Sequence, residues 1–149
     1  RGLGDVYKRQ GKGVVSMKGI LLVSHGGLAE GMRESLELFS GKLEQLAALS
    51  LSAGQDISEF NEQLVQKIAS VDSGDGVVVF CDLAFGTPAN VVARLLTAPK
   101  YKGKLQIVTG MNLPMVLEYS QLRAETIDFN DMIKVGKDGI INLNESLNL

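Results

Sequence analysis

Apolar residues along this chain alternate between short continuous runs and longer stretches in which they recur every three or four positions. The runs GILLVS (19–24) and GVVVFCD (76–82) are typical of strands buried on both faces of a sheet. The runs LAALSL (46–51) and LQIVTG (105–110) are weaker signals of the same kind. Because helical patterns separate these runs, we predict an α/β fold with a mostly parallel sheet and helices on both faces.

The helical stretches carry start and stop signals. Gly41 can end the first helix, which follows the first strand. Asp56 and Glu59 have the spacing of a capping box at the start of a second helix. Thr87 and Pro88 suit the N-cap and first position of a third helix.

The C-terminal part continues the alternation. A fourth helix is predicted after Asn112, with Pro114 tolerated in its first turn. A fifth is predicted from 126 to 135, with Gly136 as its stop signal. The segment GIINL (139–143) has the apolar pattern of a last strand, which we expect at the edge of the sheet.

Composition divides the chain into two parts. Residues 1–16 mix basic side chains with four glycines and have no period, which predicts a non-native or flexible extension before Met17. Residues 17–149 contain no repeat and no proline-rich linker, so we expect them to form one domain. A chain that is 45% hydrophobic and 21% charged has enough apolar residues for a real core.

Charge and cysteine content exclude several classes of function. A net charge of −2 disfavours nucleic acid as a partner. The apolar runs are too short to cross a bilayer, and we find no secretory signal. A single cysteine, Cys81, excludes an internal disulfide, and with one histidine it disfavours a zinc site. We therefore expect a cytoplasmic protein without a structural zinc site.

Two predicted strands end in residues capable of chemistry, at Ser24-His25 and at Cys81-Asp82. If the strand order is 2-1-3-4, these two strands are neighbours where the chain order reverses, and ligands bind outside the carboxyl ends at that point. His25 and Asp82 would then face one crevice. A carboxylate bonded to one imidazole nitrogen fixes the tautomer and leaves the other nitrogen as a nucleophile.

Four residues around this pair suit an anion. Gly26, Gly27 and Gly86 would let backbone amides approach a phosphate, and Thr87 would stand at a helix N-terminus, where phosphate is favoured. Each residue taken alone has a purely structural interpretation as a turn or a cap. Their meeting at one predicted crevice favours the functional interpretation.

Other chemistries fit less well. The chain has no P-loop and no glycine fingerprint for dinucleotides. A receiver domain of this fold class needs an acidic pair after the first strand, where this chain has Ser24-His25. A serine hydrolase of the G-x-S-x-G type is excluded because that motif is missing. We interpret Cys81 as a small core residue, since it lies in a buried strand.

Three segments carry a resemblance to a known family: GILLVSHGGLAEGM, VVVFCDLAFGTPANVVARLL and VTGMNLPMVLE. In this order and spacing they resemble the enzyme IIA domain of the mannose-family sugar phosphotransferase system, from about Met17 to Leu143. The resemblance implies that His25 accepts a phosphoryl group on Nε2. It also implies that Asp82 bonds the other ring nitrogen.

Further residues take roles from the same resemblance. Thr87 matches a Ser or Thr next to the phosphoryl group. Three consecutive residues match a loop that borders the site: Asn112, Leu113 and Pro114. One position departs from the family, because Phe85 stands where a first glycine is common.

The resemblance also implies partners. The protein would take its phosphoryl group from the histidine-containing phosphocarrier protein and pass it to enzyme IIB for sugar uptake. It would form a homodimer in which the C-terminal strand, KDGIINL (137–143), is exchanged between subunits. It would meet the membrane only indirectly, through the transporter complex, and it would use no cofactor.

Two other interpretations remain open. One is a related phosphocarrier domain that feeds a dihydroxyacetone kinase, which a longer Ser-His-Ser loop would favour; this chain has Ser-His-Gly-Gly. The other is a non-catalytic α/β regulatory module in which the histidine never turns over. Incubation with the upstream phosphocarrier protein distinguishes them, whereas nothing in the sequence names the sugar.

Overall fold

The computed structural model describes residues 17–149, and the predicted extension 1–16 lies outside the described residues. Its sheet has four strands: β1 (Gly19–His25), β2 (Leu46–Leu51), β3 (Val77–Cys81) and β4 (Leu105–Val108). The described part has six α-helices: α1 (Leu28–Ser40), α2 (Ile57–Val71), α3 (Thr87–Arg94), α4 (Leu113–Leu122), α5 (Phe129–Asp138) and α6 (Leu143–Ser146). Two single-turn 3₁₀ helices lie between α3 and β4: Leu95–Thr97 and Pro99–Tyr101.

The strands are all parallel in the order β2-β1-β3-β4, which confirms the predicted sheet. The register pairs Val23 of β1 with Cys81 of β3, and His25 of β1 with Leu51 of β2. The carboxyl ends of β1, β2 and β3 therefore meet at one edge. This is the crevice at which an open parallel sheet binds its ligands.

Side chains of the two central strands alternate between two core layers. Leu21, Val23 and Val79 face one layer, together with the buried side of α2 and the inner side of α3. Leu22 and Phe80 face the other layer, which α1, α4 and α5 complete. Because both faces are covered, the central strands have no solvent-facing side, and this explains their continuous apolar runs.

Glycine at the start of β1 is required by close packing. A Cβ atom on Gly19 would lie 2.2 Å from the carbonyl oxygen of Val71, at the end of α2. Glycine therefore lets the amino end of the central strand pass directly beneath the helix backbone. The close approach fixes where α2 ends relative to the sheet.

Two helix boundaries differ from those predicted. Thr87 is the first helical residue of α3 and Gly86 is its N-cap. Helix α5 starts at Phe129 and continues through Gly136 to Asp138, so Gly136 is not a stop signal. A Cβ on Gly136 would lie 2.9 Å from the Cβ of Met115, so this glycine permits close packing of α5 on α4.

The predicted last strand (139–143) is wrong for this single chain. Gly139 is the C-cap of α5, residues 140–142 have no regular structure, and α6 follows. The side chain of Asn142 caps α6 by accepting a hydrogen bond from the amide of Glu145. A strand needs a neighbour for its backbone groups, and without one the local capping signal prevails. Ile140 and Ile141 are consequently exposed.

No helix within residues 17–149 combines the length and the apolar character that crossing a membrane would require.

We predict opposite effects for two glycine-to-alanine substitutions. Gly19→Ala should lower the free energy of unfolding by at least about 2 kcal/mol, because its methyl group meets backbone atoms of α2. Gly31→Ala, in an exposed and open position of α1, should raise it by about 0.5–1 kcal/mol. Urea titration measures both, and equal stability of the two variants would contradict the packing described for β1.

Candidate active site

The sheet places a histidine and an aspartate side by side at the ends of its central strands. His25 is the last residue of β1, and Asp82 directly follows β3. The backbone amide of Asp82 donates to the carbonyl oxygen of Val23 at 3.2 Å, which extends the β1–β3 pairing by one residue. The two side chains are thus held by the strand ladder itself.

One carboxylate oxygen of Asp82 binds both the backbone and the ring of His25. Oδ2 accepts from the His25 backbone amide at 2.9 Å and lies 2.8 Å from ring Nδ1. Oδ1 accepts from the Leu83 amide at 2.9 Å. Because an ionised carboxylate can only accept, Nδ1 carries the proton and the neutral ring has an unprotonated Nε2. The side chain of His25 is 44% exposed and that of Asp82 only 9%.

The pKa of the Asp82 carboxyl is set by competing effects. Its burial alone would raise the pKa. The hydrogen bonds from the His25 amide, the His25 ring and the Leu83 amide outweigh this effect, so the pKa lies below its ordinary value. The carboxylate is therefore ionised at neutral pH and available to hold the Nδ1 proton.

The turn between β1 and α1 exposes the imidazole. Gly26 has φ of +55°, in the left-handed region that favours glycine, and its amide donates to the carbonyl oxygen of Leu51 at 2.9 Å. Gly27 is the N-cap of α1. A Cβ atom on either glycine would meet nothing within 4 Å, so the space around the turn is open.

Gly86 lies directly against the imidazole ring. A Cβ atom there would be 2.6 Å from Cε1 and 3.1 Å from Nε2 of His25. No side chain larger than hydrogen fits unless the ring moves. Since Gly86 is also the N-cap of α3, the amino end of this helix adjoins Nε2.

An open cleft of about 410 Å³ adjoins His25. Gly26 and Thr87 line one part of it. Another wall is the loop from β2 to α2, 51–55, together with Ile57. In residues 17–149 the Thr87 hydroxyl has no hydrogen-bond partner, so it is available to a ligand.

Sequence reasoning missed the β2–α2 wall. The signal was available, because the order 2-1-3-4 makes β2 the other neighbour of β1. Gln55 stabilises this loop: its Oε1 accepts from the Ser52 amide at 3.0 Å, and its Nε2 donates to Glu59 and Gln63. These hydrogen bonds tie the loop to helix α2.

The third predicted segment lies at the same edge of the sheet, after β4. Asn112 caps α4 by accepting from the Met115 amide, and its Nδ2 donates to the carbonyl oxygen of Gly136 at 2.8 Å. Leu113 packs in the core layer that α1, α4 and α5 cover, and Pro114 contacts α5 at Gly139. These contacts tie α4 to α5 and include none with His25. Their role as a border of the site stays a prediction.

The polar groups around His25 are the Asp82 carboxylate, backbone amides and, along the cleft, the side chains of Thr87, Ser52 and Gln55. Burial, with the adjacent Asp82 charge, raises the pKa of the Cys81 thiol to about 12, so it offers no thiolate. Residues 17–149 contain no group of three or more His, Cys, Asp or Glu side chains that could hold a metal ion. What the arrangement provides is one oriented nucleophilic nitrogen beside a helix N-terminus.

The family model described as "PTS system fructose IIA component" (PTS, phosphotransferase system) matches residues 19–135, which include both central strands and the whole cleft. The chain belongs to this family. The resemblance stated from the three sequence segments is thereby confirmed.

Proteins similar in sequence to this chain are also components of the phosphotransferase system. The chain is 25% identical to the "PTS system fructose-specific EIIA component" of Bacillus subtilis, covering 78% of this chain and 77% of the relative. It is 22% identical to the "PTS system mannose-specific EIIAB component" of Escherichia coli, covering 81% of this chain. The chain spans only 38% of the length of that mannose-specific relative.

Solved structures of IIA proteins share the fold. The crystal structure of the PTS IIA protein associated with the fucose utilization operon of Streptococcus pneumoniae superimposes with a TM-score of 0.80 at 29% identity. It covers 90% of this chain and 99% of that one. The mannose/sorbose-specific IIA subunit of Enterococcus faecalis gives 0.73 at 25% identity, covering 85% and 95%.

We predict that Asp82→Asn abolishes the tautomer preference of the ring. In the wild type, neutral His25 should carry its proton on Nδ1, because the carboxylate can only accept there. An amide can donate as well as accept, so both tautomers should be populated in the variant. The chain has one histidine, so the ¹⁵N NMR signals of the ring identify its tautomer without ambiguity. Asp128→Asn, a distant N-cap change, is the control, and a wild-type ring protonated on Nε2 would contradict the prediction.

Proposed function

We propose that this protein is a phosphocarrier in which Nε2 of His25 accepts a phosphoryl group and passes it on. The observation that carries the proposal is the contact of Asp82 with Nδ1, which leaves Nε2 unprotonated at the mouth of an open cleft. Membership of the PTS IIA family supports a role in sugar phosphotransfer. As the donor we propose the histidine-containing phosphocarrier protein, and as the acceptor enzyme IIB, with which the protein would act in the cytoplasm.

In the transfer step, the lone pair of Nε2 attacks the phosphorus of the donor's phosphohistidine. The N–P bond to the donor breaks, and its electron pair returns to the donor imidazole. The ring of His25 becomes cationic, and its Nδ1–H then donates to an ionised carboxylate, a hydrogen bond that strengthens as the charge develops. Transfer to the next protein reverses these events. The chemistry is mainly positioning and charge stabilisation, so no metal is needed.

The surroundings of Nε2 suit the incoming phosphoryl oxygens. The first amides of α3 have no intrahelical acceptor and adjoin Nε2 beside Gly86. The unpartnered hydroxyl of Thr87 lines the same cleft. Gly26 and Gly27 leave the other approach to the ring open. We assign these four residues to phosphoryl binding.

The rim of the site suits protein partners. Three exposed apolar side chains follow His25 or Asp82 within three residues along the chain. They are Leu28 at the start of α1, and Leu83 and Phe85 on the loop between Asp82 and Gly86. Phe85 is 93% exposed, an unusual position for an aromatic side chain. Aromatic residues are enriched where proteins dock, and a donor protein must approach His25 past this rim.

We also propose a homodimer in which the C-terminal segment is exchanged. Five apolar side chains of this segment are exposed in the single chain: Ile140, Ile141, Leu143, Leu147 and Leu149. Strand β4 pairs only with β3, so its outer edge lacks a neighbour among the described residues. Pairing of the partner's 139–143 segment with a sheet edge would cover both features. Sedimentation analysis tests this, and a monomer at micromolar concentration would contradict it.

We predict that His25→Ala abolishes phosphorylation without unfolding the protein. The ring lies at the exposed end of β1, outside both core layers, so its removal should leave the melting temperature within a few degrees. The measurement is incorporation of ³²P after incubation with phosphoenolpyruvate, enzyme I and the histidine-containing phosphocarrier protein. Asp128→Asn again serves as the folded control.

The same assay distinguishes the alternatives. Phosphorylation of the alanine variant at the wild-type rate would exclude His25 as the acceptor. A wild-type protein that is never phosphorylated would favour a non-catalytic module. Onward transfer to a dihydroxyacetone kinase, and not to enzyme IIB, would favour the related kinase system.

A further inference from the structure

A buried hydroxyl lies beneath the turn that carries His25. Ser24 is the residue before His25 in β1, and its side chain is completely buried. The other five buried residues of this strand are apolar or glycine. A buried hydroxyl costs free energy unless it is hydrogen-bonded, so a serine at this position needs specific partners.

Ser24 has two such partners, one in the exposed turn and one in the first turn of α1. Its Oγ donates to the carbonyl oxygen of Gly26 at 3.0 Å. The same oxygen accepts from the amide of Ala29 at 2.8 Å. One hydroxyl therefore links the end of β1, the middle of the turn and the first turn of α1, and His25 lies within this closed loop.

Within residues 17–149, no other side chain caps the amino end of α1. Gly27 is the N-cap of α1 and has no side chain with which to cap it. Ser24 supplies the missing cap from within the strand, because Ala29 holds the second helical position. Gly26 and Gly27 have open space where a Cβ would be, so packing does not fix their conformation. Other ties are the backbone bonds from Gly26 to Leu51 and from Gly31 to Gly27, and the bond from the His25 amide to Asp82.

We propose that Ser24 is a positioning residue for phosphoryl transfer. It acts through the backbone of residues 25–27 and holds the imidazole between Asp82 and Gly86. The proposal rests on the proposed phosphocarrier function. Without the hydroxyl, the two-glycine turn samples more conformations, and Nε2 adjoins the amino end of α3 less often. Removal of the hydroxyl should slow the transfer step and leave docking of the donor unchanged, because Ser24 is not at the surface.

The test compares Ser24→Ala with Ser120→Ala. Ser120 is also buried, and its Oγ donates to the carbonyl oxygen of Leu117 at 2.9 Å within α4, so its loss is a matched structural control. Ser24→Ala should lower the transfer rate at saturating donor by about three- to tenfold, with KM for the donor changed less than twofold. Ser120→Ala should keep the wild-type rate, because its single hydrogen bond stays within α4.

A second variant and a second readout keep the proposal testable. Ser24→Cys retains the shape with a weaker donor and acceptor, so it should lie between wild type and alanine, and it replaces alanine if that variant does not fold. The ¹⁵N signals of the His25 ring, recorded on unphosphorylated protein, should shift or broaden in Ser24→Ala but not in Ser120→Ala.

Two outcomes of the rate measurement would overturn the proposal: a wild-type rate in Ser24→Ala, or equal losses of rate in both alanine variants. Unchanged ring signals in Ser24→Ala would do so as well. If the wild type is not phosphorylated at all, the phosphocarrier function fails, whereas the ring signals still decide whether Ser24 orients the imidazole.

Discussion

The Oδ2 atom of Asp82 accepts hydrogen bonds from the backbone amide and from the ring of His25, and this pairing requires β1 and β3 to be neighbours. The rest of the fold supplies that condition. Two core layers bury both faces of the central strands, so neither strand can slip without moving its apolar side chains into the wrong layer. The geometry of the His25–Asp82 pair is thus fixed by the register of the sheet.

Around this fixed pair, glycines occupy three positions close to the imidazole ring. Gly86 lets the amino end of α3 touch the imidazole ring, and Gly26 and Gly27 keep the opposite approach open. Such glycines give little packing to hold the ring in place. Hydrogen bonds with the Asp82 carboxylate and with the buried hydroxyl of Ser24 hold the ring and its turn in place instead. The site combines an open surface with a rigid support beneath it.

The sequence predicted the four strands, because strands buried on both faces have a local signature. Given the order 2-1-3-4, it also predicted that His25 meets Asp82. What it could not predict depends on contacts between distant segments. Gly136 has the composition of a helix stop, yet its contact with Met115 makes it a packing glycine within α5. The run at 139–143 has the pattern of a strand, but a strand forms only against a partner edge, which this single chain does not provide.

The most direct test of the central claim, that the Asp82 carboxylate prepares Nε2 of His25 for phosphoryl transfer, is the stopped-flow rate of transfer from the phosphorylated donor to wild type and to Asp82→Asn. Loss of one charge-assisted hydrogen bond is worth about 1.5–3 kcal/mol, which corresponds to a fall in rate of about ten- to a hundredfold. We predict a fall in this range with the fold intact by circular dichroism. Equal rates would contradict the claim and would reduce Asp82 to a cap for its own loop.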